Sequence, residues 1–112
     1  MSHRVLAVYM TFPDSASADA TARALVDARL AACVNVLPAA RSYYRWDGEV
    51  HVDDEVVAVA KTTRERLDAL TALVLERHPF ELPCVVAYPA DGGLVAYLDW
   101  VADETRESAS CG

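Results

Sequence analysis

The chain has 112 residues, of which 54% are hydrophobic and 24% charged, with a formal net charge of −7. This length suits one domain, residues 1–112, around one core, and the negative charge repels nucleic-acid phosphates and anionic lipid surfaces, so neither is expected as a partner. A mean hydropathy of +0.12 is high for a small soluble domain and points to apolar surface that one copy cannot hide, hence to self-association.

Residues 1 to 12 lack the pattern of an export signal, and no apolar run is long enough to span a bilayer, so a cytoplasmic location without a membrane partner is expected. Cys33, Cys84 and Cys111 form no CxxC pair. An odd number in such a chain argues for thiols or metal ligands rather than a disulfide framework.

Taken in order, "RVLAVYMTF" (4 to 12) is an almost unbroken apolar and β-branched run, which predicts a central strand covered on both faces. Pro13 ends it, Asp14 and Ser15 offer N-caps, and Ala18, Ala22, Leu25, Val26 and Leu30 follow at helical spacing. "CVNVLP" then predicts a second strand that Pro38 interrupts and "SYYRWDGEVHV" resumes, with Ser42, Tyr44 and Trp46 on one face and Tyr43 and Arg45 on the other.

Asp47-Gly48 is a strong hairpin turn signal, and the strand after it runs from Glu49 to Lys61, about twice the usual strand of 5 to 6 residues. Such a ribbon overhangs its own domain. Its outer backbone groups invite pairing with another chain, and Tyr43, Tyr44 and Trp46 suit interface anchors, so the hairpin is expected to be an oligomerisation arm.

"TTRERLDALTALVLERH" predicts a second helix, capped by Thr62 or Thr63, with Leu67, Leu70, Thr71 and Val74 on its buried stripe. Pro79 forces it to stop near His78, and Pro83 opens a last strand, "CVVAYP". A turn at Asp91-Gly92-Gly93 leads to a short helix carrying Leu94, Tyr97, Leu98 and Val101, and the tail from about 106 to 112 is expected to be disordered. The order βαββαβ plus a C-terminal helix is the α+β, ferredoxin-like arrangement with an antiparallel sheet.

Gly-rich phosphate loops, GxSxG and HExxH are all absent, which disfavours an enzyme. The same element order builds RNA recognition modules, but the charge and the lack of a basic aromatic signature exclude that use. His78 is a candidate metal ligand, since imidazole suits copper and zinc, with Cys84 and Met10 as soft helpers that would suit Cu(I), but the local pattern favours its reading as a helix C-cap. Lys61, at a strand end, is a candidate anion contact with aromatic residues for company.

"LVDARLAACVNVLP", "SYYRWDGEV", "DDEVVAVAKTT", "HPFELP" and "YLDWV" together resemble the divalent-cation tolerance family, CutA, over about residues 4 to 105. The resemblance implies a homotrimer whose hairpins pair with neighbouring subunits' sheets, no enzymatic activity, and binding of copper or other divalent cations. It also implies an architecture like the PII signalling trimers, so a regulatory module with a small anionic ligand between subunits is the alternative. By the same resemblance His78 matches the histidine of the "HP" motif, and Cys33, Lys61, Trp46, Tyr97 and Trp100 match positions along the inter-subunit cleft. Met10, Arg77 and Cys84 stand where some members have cysteine, histidine and glutamate, which shifts any copper site from Cu(II) toward Cu(I).

Overall fold

The computed structural model describes residues 5–107. His3, Cys111 and the tail from residue 108 lie outside the described residues.

Seven elements follow one another: β1 (Val5–Phe12), α1 (Ser15–Asp27), β2 (Cys33–Trp46), β3 (Glu49–Thr63), α2 (Arg64–Arg77), β4 (Val85–Pro89) and α3 (Val95–Glu104). The four strands form one antiparallel sheet in the order β2-β3-β1-β4, the ferredoxin-like order with β1 and β3 inside. Period-two alternation sorts the sheet into two unlike faces. Leu6, Val8, Met10 and Phe12 join Ala58, Ala60 and the helical residues Ala18, Leu25, Leu70 and Val74 in the core.

The other face carries Tyr9 and Thr11 on β1, Val57, Val59 and Lys61 on β3, Cys33, Asn35 and Leu37 on β2, and Val86 and Tyr88 on β4. Tyr9 is 39%, Leu37 48% and Tyr88 56% exposed. Within one copy, therefore, α1 and α2 cover only one face of β1, because both pack on the same side. Among the described residues only α3 reaches the second face, at the Cys33 end, where the Tyr97 hydroxyl meets Cys33 Sγ at 3.3 Å.

Local chemistry explains the boundaries. Asp14, extended at the N-cap of α1, accepts a 2.8 Å hydrogen bond from Ser17 N, and this bond holds its carboxyl below the usual range. Leu25 is fully buried, but Val26 is 40% exposed and Leu30 falls beyond the last turn, so the buried stripe of α1 is narrower than the spacing predicts. In α2, Leu70 and Val74 are buried, Leu67 packs at the core's margin, and Thr71 donates back to Leu67 O at 2.9 Å. Leu94, read as part of the last helix, stands at its N-cap and is exposed.

Pro38 interrupts the β2–β3 ladder, as expected, without ending the strand. The strand continues through a register shift between Leu37 and Ala40, with Ala39 at φ +67, and it can do so because β2 is an edge strand, where a missing N–H costs no ladder bond. The turn between β2 and β3 has Asp47 at φ +55 and Gly48 at φ +81, the geometry that matches the twist of a two-residue hairpin. β1 accompanies β3 only from Val56 onward, so residues 49–55 of β3 pair with β2 alone and the ribbon projects from a molecule 48 Å in longest extent.

Leu25→Ala should cost about 3 kcal/mol in a urea titration and Val26→Ala less than about 1, since only the first opens a cavity. Equal losses would contradict the assigned core.

Candidate functional site

His78 closes α2. Its backbone N–H donates to Val74 O at 2.8 Å, its ψ of 135° ends the helix, and the residue is 7% exposed. Nε2 lies 2.7 Å from Thr11 O, and Phe80 N donates to Nδ1 at 3.1 Å. A carbonyl can only accept, so Nε2 carries the proton and Nδ1 spends its lone pair on Phe80. The imidazole stacks on Phe12 at 4.7 Å and meets Phe80 at 5.0 Å. It thus caps a β1 carbonyl just past the last β1–β4 pair, Met10↔Val85, and orders the turn that leads into β4.

The three residues put forward as metal ligands do not meet as a set. Met10 is fully buried on the core face, His78 has both nitrogens in backbone hydrogen bonds, and Cys84 lies beside the opposite face next to Thr11. Among the described residues, no three of His, Cys, Asp and Glu gather into a metal-holding group. Burial pushes the Cys84 thiol up, against a smaller opposing effect of its hydrogen bond with Thr11.

The expected cleft residues separate into two places. Lys61 Nζ donates to Asn35 Oδ1 at 2.6 Å and lies 3.8 Å from Cys33 Sγ, which in turn meets Tyr97 OH, and the Tyr97 ring tilts against Trp100 at 5.5 Å. The hydrogen bond with Cys33, then burial, raises the Tyr97 hydroxyl. Beside this group is a cavity of about 380 Å³ that Lys61, Gly92, Gly93 and Leu94 help to line. Trp46, at the far end of β2, is not part of it.

Trp46 belongs to a second, larger cavity of about 590 Å³ at the root of the ribbon, shared with Tyr9, Tyr44, Glu55, Phe80 and Glu81. Here Ser42 Oγ donates to Glu55 at 2.5 Å, and the Tyr44 hydroxyl donates to Asp53, a bond that raises the phenol. Strand alternation in the sequence puts Ser42, Tyr44 and Trp46 on one face but does not bring in Tyr9, Glu55, Phe80 and Glu81. A signal for Tyr9 exists: Tyr9 and Thr11 alternate with Val8, Met10 and Phe12.

Because burial disfavours its thiolate, Cys84 should react with iodoacetamide more slowly than free cysteine at pH 8 and catch up as the pH rises well past the ordinary thiol range. Labelling as fast as free cysteine at pH 8, followed by peptide mass spectrometry, would contradict that environment.

Residues 6–104 match the sequence profile described as CutA1 divalent ion tolerance protein. The chain is 43% identical over 98 residues to the divalent-cation tolerance protein CutA of Thermus thermophilus, covering 88% of this chain and 95% of that one. It is 40% identical over 103 residues to the chloroplastic protein CutA 1 of rice, covering 92% of this chain but only 58% of that protein. The solved structure of the divalent cation tolerance protein from Thermus thermophilus superposes with a TM-score of 0.90 at 41% identity, over 91% of this chain and 99% of the other. Matching this profile over nearly its whole length, the chain belongs to the CutA1 divalent ion tolerance protein family.

Proposed function

We propose that this chain is a non-enzymatic, homotrimeric, cytoplasmic protein of divalent-cation tolerance that takes copper or another divalent ion as cargo, with sister chains as its partners. The observation that carries the assembly is the overhang of residues 49–55 beside an open sheet face on which Tyr9, Leu37, Val86 and Tyr88 stay exposed. Partners that bury such surface offset its cost in water, and Tyr43, Tyr44 and Trp46 are the ribbon's aromatic anchors.

The family's name supports a role for divalent cations. Since one copy gathers no ligand set among the described residues, the cation is held by groups from more than one chain, and Cys84 is this chain's contribution. A half-buried thiol suits Cu(I), whereas Met10 and His78 serve the core and the α2 cap.

One observation favours a second reading, a PII-like regulatory module. Lys61 lines a cavity into which the start of α3 opens without a side-chain cap on its first amides, a setting that suits a small anionic ligand. In that case a metabolite would stabilise the wild type in a thermal-shift screen and leave Lys61→Ala unmoved.

Trp46→Ala should weaken association by about 2 kcal/mol or more, read by light scattering on dilution, and an unchanged assembly would contradict the anchor. Calorimetry with Cu(I) and Cu(II) separately should show Cu(I) binding that Cys84→Ser weakens at least about tenfold, while His78→Ala lowers stability and spares affinity. Absence of any copper heat in the wild type would reject copper as cargo.

A further inference from the structure

The chain has nine arginines but only one lysine, Lys61, and that lysine stands directly across the β2–β3 ladder from Cys33. Opposed residues of a ladder leave the sheet on the same face with Cβ atoms about 5 Å apart, so their functional groups meet beside the strands. Nζ lies 3.8 Å from Sγ, and Asn35 Oδ1, which accepts from Nζ at 2.6 Å, steadies the end of the lysine. The Tyr97 hydroxyl is 3.3 Å from the same sulfur, and its ring leans on Trp100. A half-buried free thiol, a primary amine and a phenol thus share one small site. A cation alone needs no lysine there, since a guanidinium is always charged; what lysine adds is an amine that can lose its proton and attack.

We propose that Cys33 and Lys61 are a redox pair that closes into a reversible sulfenamide, an Sγ–Nζ bond made after a hydroperoxide oxidises the thiol. In the first step the Cys33 thiolate attacks hydrogen peroxide: an S–O bond forms, the O–O bond breaks, and the products are a sulfenic acid and water. Sulfur is oxidised by two electrons and the peroxide is reduced. In the second step the Lys61 amine attacks that sulfur, the S–N bond forms, the S–O bond breaks, and the hydroxyl leaves as a second water. Thiol, amine and one peroxide therefore give one sulfenamide and two waters, with no other oxidant.

The surroundings favour the second step. A sulfenic acid condenses with a neighbouring thiol or nitrogen, and Cys33 has the nitrogen of Lys61 beside it, whereas Cys84 lines the other cavity. Tyr97 can donate to the departing oxygen and take the amine's proton in return. Its hydrogen bond with Cys33, then burial, raises the phenol, so it has its proton to give. Once bonded to sulfur, Nζ carries no charge, so peroxide would remove the cation from the cavity that Gly92, Gly93 and Leu94 line and tie the edge strand β2 to β3. The bond forms within one chain and needs no neighbouring copy.

Peptide mapping tests this. After hydrogen peroxide and then trypsin without reductant, the wild type should give a species joining residues 30–41 to 46–64 that is two hydrogens lighter than their sum, and dithiothreitol should release both. Lys61→Arg, which keeps the cation, should abolish the species and let dimedone capture the Cys33 sulfenic acid in several times the wild-type yield. Reductive dimethylation of the folded wild type leaves Lys61 charged but unable to form a neutral S–N bond, and should do the same without any substitution. Peroxide that leaves Cys33 unoxidised overturns the proposal, as does equal dimedone capture with and without the Lys61 amine. A joined species carrying one further oxygen would place that oxygen between nitrogen and sulfur, and would overturn the S–N bond.

Discussion

Everything distinctive about this molecule follows from a mismatch of strand lengths. β3 has 15 residues and β2 has 14, but β1, which pairs with β3 on its inner side, has only 8, so the β2–β3 ribbon runs out past it. At about 3.3 Å per residue the seven residues 49–55 carry the ribbon roughly 23 Å beyond the last β1 pair. A two-stranded ribbon in water is marginally stable by itself, and its exposed tyrosine, tryptophan and valine side chains add to the cost. The chain nonetheless has a well-formed turn at Asp47-Gly48 and side-chain hydrogen bonds from Ser42 and Tyr44 to the facing strand. Local chemistry stiffens the arm and tertiary packing leaves it uncovered, a combination that suits recognition.

The rest of the domain works as a mount for that arm. α1 and α2 bury one face of the sheet so fully that Val8, Met10, Phe12, Leu25, Leu70 and Val74 are all shut off from solvent. His78 links this core to the open side: its imidazole stacks on Phe12, caps the Thr11 carbonyl and holds Phe80, whose neighbours wall the larger cavity. A histidine that resembles a metal ligand in the sequence is therefore the pin between α2 and that cavity. Both of its nitrogens make backbone hydrogen bonds in that role.

Much of this is legible in the sequence. Element order, the cap at Asp14 (one of two candidates with Ser15), the stop at His78 and the hairpin at Asp47-Gly48 all come from local chemistry, and local chemistry is written in neighbouring residues. The two faces of "SYYRW" are likewise readable from strict alternation. What escapes the sequence is non-local. Whether β1 is covered once or twice depends on where both helices pack, and Tyr9 in an apolar run does not reveal it. That the strand continues past Pro38 depends on β2 lying at the sheet edge, a fact of topology. The grouping of Trp46 with Cys33, Lys61 and Tyr97 comes from family likeness, and within one chain the length of β2 keeps Trp46 apart from the others.

The most direct test is backbone hydrogen exchange of the ribbon as a function of protein concentration. If sister chains complete the arm, amides of residues 49–55 will be protected about as well as those of the β1–β3 ladder at high concentration, and will lose that protection on dilution while the ladder keeps its own. Fast exchange of the arm at every concentration, the highest included, would mean that the ribbon stands alone, and the claim that it is built for another copy would fall.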